Sequence, residues 1–152
     1  MSEKQYVIFK LGNEVYGVDI MNVKEITEDK EIVMVPDVPD FIEGMINLRG
    51  NIIPIVNLKK KFNVKSDEIN CDTRVIVISI KNQQVGFIVD EASQVLRINE
   101  ENIEPPPDLI VGPDKKYIIG VGKIESGIVL LLELEYILSE EEKNQVKEMV
   151  QQ

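Results

Sequence analysis

Apolar and polar residues alternate in short runs along most of this chain, and Gly, Pro and Asn separate the runs. Such a pattern predicts many short strands joined by tight turns. Tyr6–Leu11 and Glu14–Asp19 flank Gly12-Asn13 and predict a hairpin. Ile20, Val23 and Ile26 recur three apart, which predicts a short amphipathic helix or helical turn. Ile32–Val35 predicts a strand that Pro36 and Pro39 end in an extended bend. Phe41–Leu58 predicts a second hairpin, turning near Arg49-Gly50-Asn51. Pro54 has no backbone donor, so its strand is expected at a sheet edge or beside a bulge. Lys59–Phe62 predicts one turn of helix or a loop. Arg74–Ile80 and Val85–Asp90 form a further strand pair around Lys81–Gln84, and Val95–Ile98 another strand. Pro105-Pro106-Pro107 reads as a rigid extended spacer. From Ser139 to Val150 the chain predicts a helix: Ser139 and Glu142 form a capping box, three acids occupy the first turn, and Val146, Met149 and Val150 make an apolar stripe. Packing of that helix on the second half of the molecule is expected, with a partner-binding helix as the alternative.

One segment occurs twice. Phe41–Leu58 and Tyr117–Leu134 superpose at a constant offset of 76 residues, with Ile42 on Ile118, Gly44 on Gly120, Ile52 on Ile128 and Leu58 on Leu134. A recurring hairpin implies a duplicated β unit, hence two similar lobes with a groove between them. The preceding strand pairs, Val7 to Asp19 and Arg74 to Asp90, repeat at an offset close to 70, and Val95–Ile98 is expected to take the place of Ile32–Val35. The fold class is therefore mainly β: two small antiparallel barrels packed together, with short helical turns and a C-terminal helix over about residues 139–150.

Composition narrows the function. The chain has 152 residues, a length that suits one domain spanning 1–152, and 43% of them are apolar, enough for a core of its own. Aromatic residues are 5% and tryptophan is absent, so Val, Ile and Leu must fill that core. A net charge of −10 repels phosphate, which argues against nucleic acid and against an RNA-binding small barrel. There is no histidine, which excludes Ser-His and Cys-His pairs and histidine metal ligands, and the single Cys71 makes neither an internal disulfide nor a structural zinc site. No signal peptide and no membrane-spanning apolar run are present, so a soluble, cytoplasmic protein is expected. Gly120-Val-Gly122 is not followed by a helix and reads as close strand packing or a bulge rather than a phosphate loop. Asp19 and Asp90 hold similar places in the repeat and read as strand-end or turn-capping residues. Neither a cofactor nor a metal is expected. A binding module remains; a small-ligand-binding or carboxylate-based hydrolytic protein using the groove is the alternative.

Several runs resemble the CheW family of bacterial chemotaxis coupling proteins. They are Tyr16–Ile26, then Pro39–Leu58 with Gly44, Asn47-Leu-Arg-Gly50, Pro54-Ile-Val56 and Leu58, then Val85–Asp90, Pro105-Pro106 and Tyr117–Gly122. The resemblance covers about Lys4 to Leu138 and leaves no room for a kinase core or a receiver domain, so a free-standing, non-catalytic adaptor is expected. It implies two five-stranded SH3-like barrels around a common core. It also implies two partners, the regulatory domain of a CheA-type histidine kinase and the signalling tip of methyl-accepting chemoreceptors, and recruitment to receptor arrays through them. By position, receptor contact falls on Val23, Glu25, Ile26, Gly44, Asn47, Leu48 and Arg49. Val23 and Ile26 would offer apolar anchors on one helical face, with Glu25 and Arg49 as complementary charges at the rim. Gly44 and Gly50 are expected to serve the backbone more than a partner. Kinase contact is expected at the edge formed by Ile32, Val33, Met34 and Val35.

Overall fold

The computed structural model describes residues 3–28, 32–62, 72–107 and 116–150. Cys71 and the side chain of Val150 lie outside the described residues. The strands are β1 (Glu3–Leu11), β2 (Glu14–Asp19), β3 (Val23–Glu28), β4 (Ile42–Leu48), β5 (Asn51–Asn57), β6 (Arg74–Ile80), β7 (Gln83–Val89), β8 (Glu91–Asn99), β9 (Ile103–Glu104), β10 (Ile118–Ile124) and β11 (Gly127–Leu132). The helices are α1 (Leu58–Lys61) and α2 (Glu140–Val150). Mainly β architecture in two lobes is what the residue pattern predicts and SH3-like topology what the resemblance implies; one lobe has the five strands expected, the other six, because the short β9 adds to its edge.

The strands form two sheets, ordered β8-β1-β2-β11-β10-β9 and β3-β6-β7-β5-β4. The five-stranded lobe is thus continuous in sequence, and the six-stranded lobe is assembled from both ends of the chain. The lobes are not the two halves of the duplication. Each hairpin that begins a repeat, β1–β2 or β6–β7, pairs with strands of the other repeat. The described chain crosses between lobes at Ile20–Asn22 and again at the single residue Asp90.

That second crossing is pinned. Asp90 Oδ2 accepts a hydrogen bond from Gly12 N at 2.6 Å, its own N donates to Lys10 O at 2.9 Å, and Oδ1 lies 2.7 Å from Lys59 Nζ. Lys59 is buried, and Asp90 is the counter-charge that compensates for the loss of water around it. Asp19 likewise accepts from Met21 N at the first crossing. Both aspartates cap turns, as their strand-end positions predict.

The duplicated hairpin is real in three dimensions. Ile42 pairs with Val56 and Gly44 with Ile55; 76 residues on, Ile118 pairs with Leu132 and Gly120 with Leu131. Each hairpin therefore carries one bulged residue at the same place, Glu43 or Ile119.

Four local expectations are corrected. The helical spacing of Ile20, Val23 and Ile26 yields a 3-10 turn over Ile20–Asn22 only, because Val23 onward pairs with β6 and the ladder overrides a weak helical period. Ile32–Val35 is not a strand: Val33 alone makes a β-bridge, exchanging hydrogen bonds with Met45 at 2.8 and 2.9 Å. Its counterpart in the other lobe is β9, which pairs with Val121, 76 residues after Met45; the counterpart of β8 is β3. Pro54 lies in β5, an interior strand, and the bulge is on β4 instead. The Met45 main chain is occupied by Val33, so Met45 and Pro54 form a non-hydrogen-bonded pair. The donorless Pro54 nitrogen then faces β7, where the ladder starts only at Ile55.

Three apolar clusters hold the molecule. Ile46, Leu48, Ile53, Ile55, Val75, Val77 and Ile88 fill the five-stranded lobe, and Tyr6, Ile8, Ile98, Val129 and Leu131 the six-stranded one. The largest cluster lies between them, with Val7, Phe9, Leu11 and Leu132 from one lobe against Val56, Leu58, Ile76 and Phe87 from the other. The space between the lobes is thus packed core, and the groove expected there is reduced to a cleft at its rim beside Met21, Ile78 and Leu134. Helix α2 docks on the five-stranded lobe, against β5 and the β6–β7 hairpin that opens the second repeat: Val146 is buried in the shared core, and Lys61 and Lys81 pair with Glu142 and Glu140. Its capping box forms reciprocally, Glu142 N donating to Ser139 Oγ at 3.1 Å and Ser139 N donating to Glu142 Oε1 at 2.9 Å.

Candidate functional site

The residues that the family resemblance assigns to receptor contact come from opposite edges of one sheet, β3 on one side and β4 with the β4–β5 turn on the other. They meet because the sheet curls until its outer strands face each other. Arg49 from the turn reaches Glu25 on β3 with both guanidinium nitrogens: Nη1 donates to Oε2 at 3.2 Å, and Nη2 makes a close contact with Oε1. The bidentate fork matches a carboxylate geometrically. Glu25 holds the Arg49 guanidinium even more firmly charged than usual, by hydrogen bonding first and by Coulombic attraction second.

The turn itself is a two-residue one. Arg49 and Gly50 both have positive φ, 51° and 88°, the pattern of a type I′ hairpin turn. Asn47 supports it, its Oδ1 accepting from Gly50 N at 2.9 Å. Arginine is an uncommon residue at positive φ. Its side chain is 70% exposed, so the turn displays a guanidinium at the surface, tethered on one side.

The other residues of the group divide by burial. Ile26 is 38% exposed and stands beside Glu25 on the outer strand. Asn47 is exposed and pairs across the hairpin with Ile52, which is 44% exposed. Leu48 is buried in the lobe core, and Val23 packs against the shared core. Val23 and Ile26 do not share a helical face, because both belong to a strand with a bulge at Lys24. Gly44 is a backbone requirement: at φ +150°, a Cβ there would lie 2.2 Å from Val33 O. That close approach is what lets the Ile32–Val35 segment lie against β4. Along it Val33 is 62% and Met34 82% exposed, while Ile32 packs into the lobe core. Gly50, by contrast, faces open space and serves the turn alone.

Sequence reasoning missed the exposed Ile52, although its recurrence as Ile128 at the 76-residue offset marks an outward strand position kept apolar in both hairpins. It also missed the buried Lys59–Asp90 pair, for which a lysine run after a strand gives no signal. Glu43 is held below the ordinary carboxylate range: burial pushes it up, but hydrogen bonds from Asn57 and Lys60 and the charges of Lys60 and Lys59 outweigh that. Among the described residues no cluster of acids, His or Cys is arranged to hold a metal ion, and no helix is long and apolar enough to cross a membrane.

A double SH3-like body with a charged and apolar patch at one barrel seam is the architecture of a protein-interaction module. Residues 5–142 match the CheW-like domain, and the chain belongs to the CheW family. It is similar to the chemotaxis protein CheW of Klebsiella aerogenes, 38% identical over 91% of this chain and 84% of that protein. The chemotaxis protein CheW of Thermotoga maritima is 34% identical over 92% of this chain and 91% of that protein. The crystal structure of the scaffolding protein TtCheW from Thermoanaerobacter tengcongensis superposes with a TM-score of 0.82 at 37% identity, covering 91% of this chain and 90% of that one.

Proposed function

We propose that the chain is a non-catalytic chemotaxis adaptor, one CheW-like domain through residues 1–152, that couples methyl-accepting chemoreceptors to a CheA-type histidine kinase. The match to the CheW-like domain over residues 5–142 carries this reading. The adaptor acts by contact alone, in the cytoplasm, and reaches the membrane-associated receptor array through its partners, without cofactor, metal or nucleic acid.

The receptor tip docks at the seam patch. Glu25 and Arg49 present a pre-paired charge couple, Ile26 and Asn47 its flanks, and Val23, Gly44 and Leu48 hold that surface from beneath. The physical logic is that of a polar rim around exposed apolar area. The kinase regulatory domain docks at the edge held by Val33, where Val33 and Met34 expose apolar side chains and Ile32 and Val35 anchor the segment. The two surfaces are neighbours, the kinase segment lying along β4 and the receptor patch at the seam where the β4–β5 turn meets β3, so the reading requires one adaptor to hold both partners side by side.

The test is a pull-down of purified protein with a CheA-type regulatory domain and a receptor signalling tip, separately and together. A ternary complex without turnover is the expected result. Binding to neither partner at tens of micromolar would overturn the proposal, and binding to the kinase domain alone would move the receptor site elsewhere.

A further inference from the structure

The two barrel seams differ. Register equates Glu25 with Gln94, since each faces the same position of its hairpin partner (Val77 in β6, Ile8 in β1), and the 76-residue offset equates Arg49 with Glu125. Where the five-stranded lobe closes its seam with the Arg49–Glu25 pair, the six-stranded lobe has Gln94 opposite Glu125, which cannot form an ion pair. A cleft of about 610 Å³ opens there instead, between β8 and the β10–β11 turn. That volume falls within the roughly 300–1,000 Å³ of small-ligand sites.

The lining is amphipathic. Leu96 and Ile124, both partly buried, supply apolar surface over the buried Ile98, and Arg97, Asn99 and Asn102 stand together on β8 and the turn that follows it. Lys123 also lines the cleft but is neutralised by Glu104 at 2.8 Å. Arg97 has no hydrogen bond or ion pair among the described residues, and neither has Glu125. Arg97 thus presents a guanidinium that no described residue pairs, beside apolar surface, on a chain whose net charge of −10 otherwise repels anions. A guanidinium fork takes a carboxylate with two parallel hydrogen bonds.

The occupant is small. Inserting a peptide strand between two strands needs about 9.6 Å, twice the normal spacing. β8 and β10 already approach within 8 Å at their Cα atoms, so the seam admits a side-chain-sized body and not a strand. We propose that this seam binds a small amphiphilic carboxylate, its headgroup on Arg97 and its apolar tail along Leu96 and Ile124. Glu125, at the turn, opposes such a ligand and limits its affinity.

The experiment is an NMR titration of the isotopically labelled full chain with octanoate and, separately, octylamine. Expected are saturable shifts confined to residues 94–99 and 123–126 with octanoate and a much weaker response to octylamine. Arg97→Ala and Arg97→Gln should each weaken octanoate by about tenfold or more with an unchanged melting curve. Glu125→Gln should bind octanoate at least as tightly as the parent chain. Equal responses to the two amphiphiles, shifts centred elsewhere, no saturable shift, or full affinity in both Arg97 variants would each overturn the assignment.

Discussion

The two duplicated hairpins share register, bulge and turn length, yet they carry their lobes differently. In β4–β5 the bulge is followed by Gly44, whose missing side chain admits the Val33 carbonyl, and the turn sends Arg49 across the seam to Glu25. In β10–β11 a Cβ built on the equivalent Gly120 would lie 3.1 Å from the Ile103 Cγ2 methyl and 3.4 Å from Glu104 O, tight but without the backbone clash at Gly44, and the turn residue is Glu125. Duplication preserved the backbone device, the bulge, in both copies. Side-chain chemistry then made one seam closed and the other open. Repeated backbone geometry therefore does not impose repeated surface chemistry: the closed seam displays a paired charge at the surface, and the open one leaves space.

The two hairpins should differ most when a side chain is placed on the glycine that follows each bulge. Gly44→Ala should destabilise by about 3 kcal/mol or more, because Val33 O is backbone and cannot yield and the φ is strained. Gly120→Ala should cost about 1 kcal/mol, since a methyl group can shift by a few tenths of an ångström. Urea unfolding of the two variants side by side checks this, and equal losses would mean the hairpins are interchangeable.

The crossing between lobes comes next. Asp90→Ala should cost about 3 kcal/mol by leaving Lys59 buried and unpaired, whereas Lys59→Met, which removes that charge with its partner left partly solvated, should cost less. Denaturant midpoints decide the order. Arg49→Asp should retain cooperative unfolding and lower receptor-tip affinity by about tenfold or more, read by titration against the tip. Loss of cooperative unfolding instead would make Arg49 a structural residue.

The docking of α2 should depend on acid. Burial raises Glu142, but the Ser139 hydrogen bonds and Lys61 outweigh it and its carboxyl lies below the ordinary range. Glu140 is lowered too, mainly by Lys81. A depressed folded-state value means the stabilisation is complete above the unfolded carboxylate range, about 4.3, and is lost as pH falls through the lower folded value. Hydrogen exchange of 140–150 should therefore accelerate below about pH 4 before the strands open. The smallest effect is a transplant: Gln94→Glu with Glu125→Arg should close the second seam as the first is closed. Stability should change by less than about 1 kcal/mol, since the pair is exposed, while octanoate binding should be lost.

The hairpin repeat, its offset, the turn at Arg49-Gly50 and the Ser139–Glu142 capping box were all legible because each is a local rule: alternation, a turn residue, a three-residue spacing. The positions that the family resemblance assigns to receptor contact could not be sorted by burial in advance, since nothing local says that Leu48 points inward while Asn47 points outward once the bulge at Glu43 has shifted the alternation. The helical spacing of Ile20, Val23 and Ile26 misled because pairing with β6 outweighs a three-point period. Pro54 misled because the rule concerns the direction of one missing N–H, and that direction depends on where the β7 ladder begins.

By itself, then, the sequence determined the strand-rich class, the duplication, the turns and the capped terminal helix, since these rest on interactions within a few residues. Tertiary structure alone decided which strands share a sheet, that both ends of the chain build one lobe around its contiguous middle, that α2 crosses to the five-stranded lobe, and that Arg49 meets Glu25 across a seam. Those outcomes depend on burying one shared apolar core between two curled sheets, and contacts so distant in sequence leave no periodic trace in the chain.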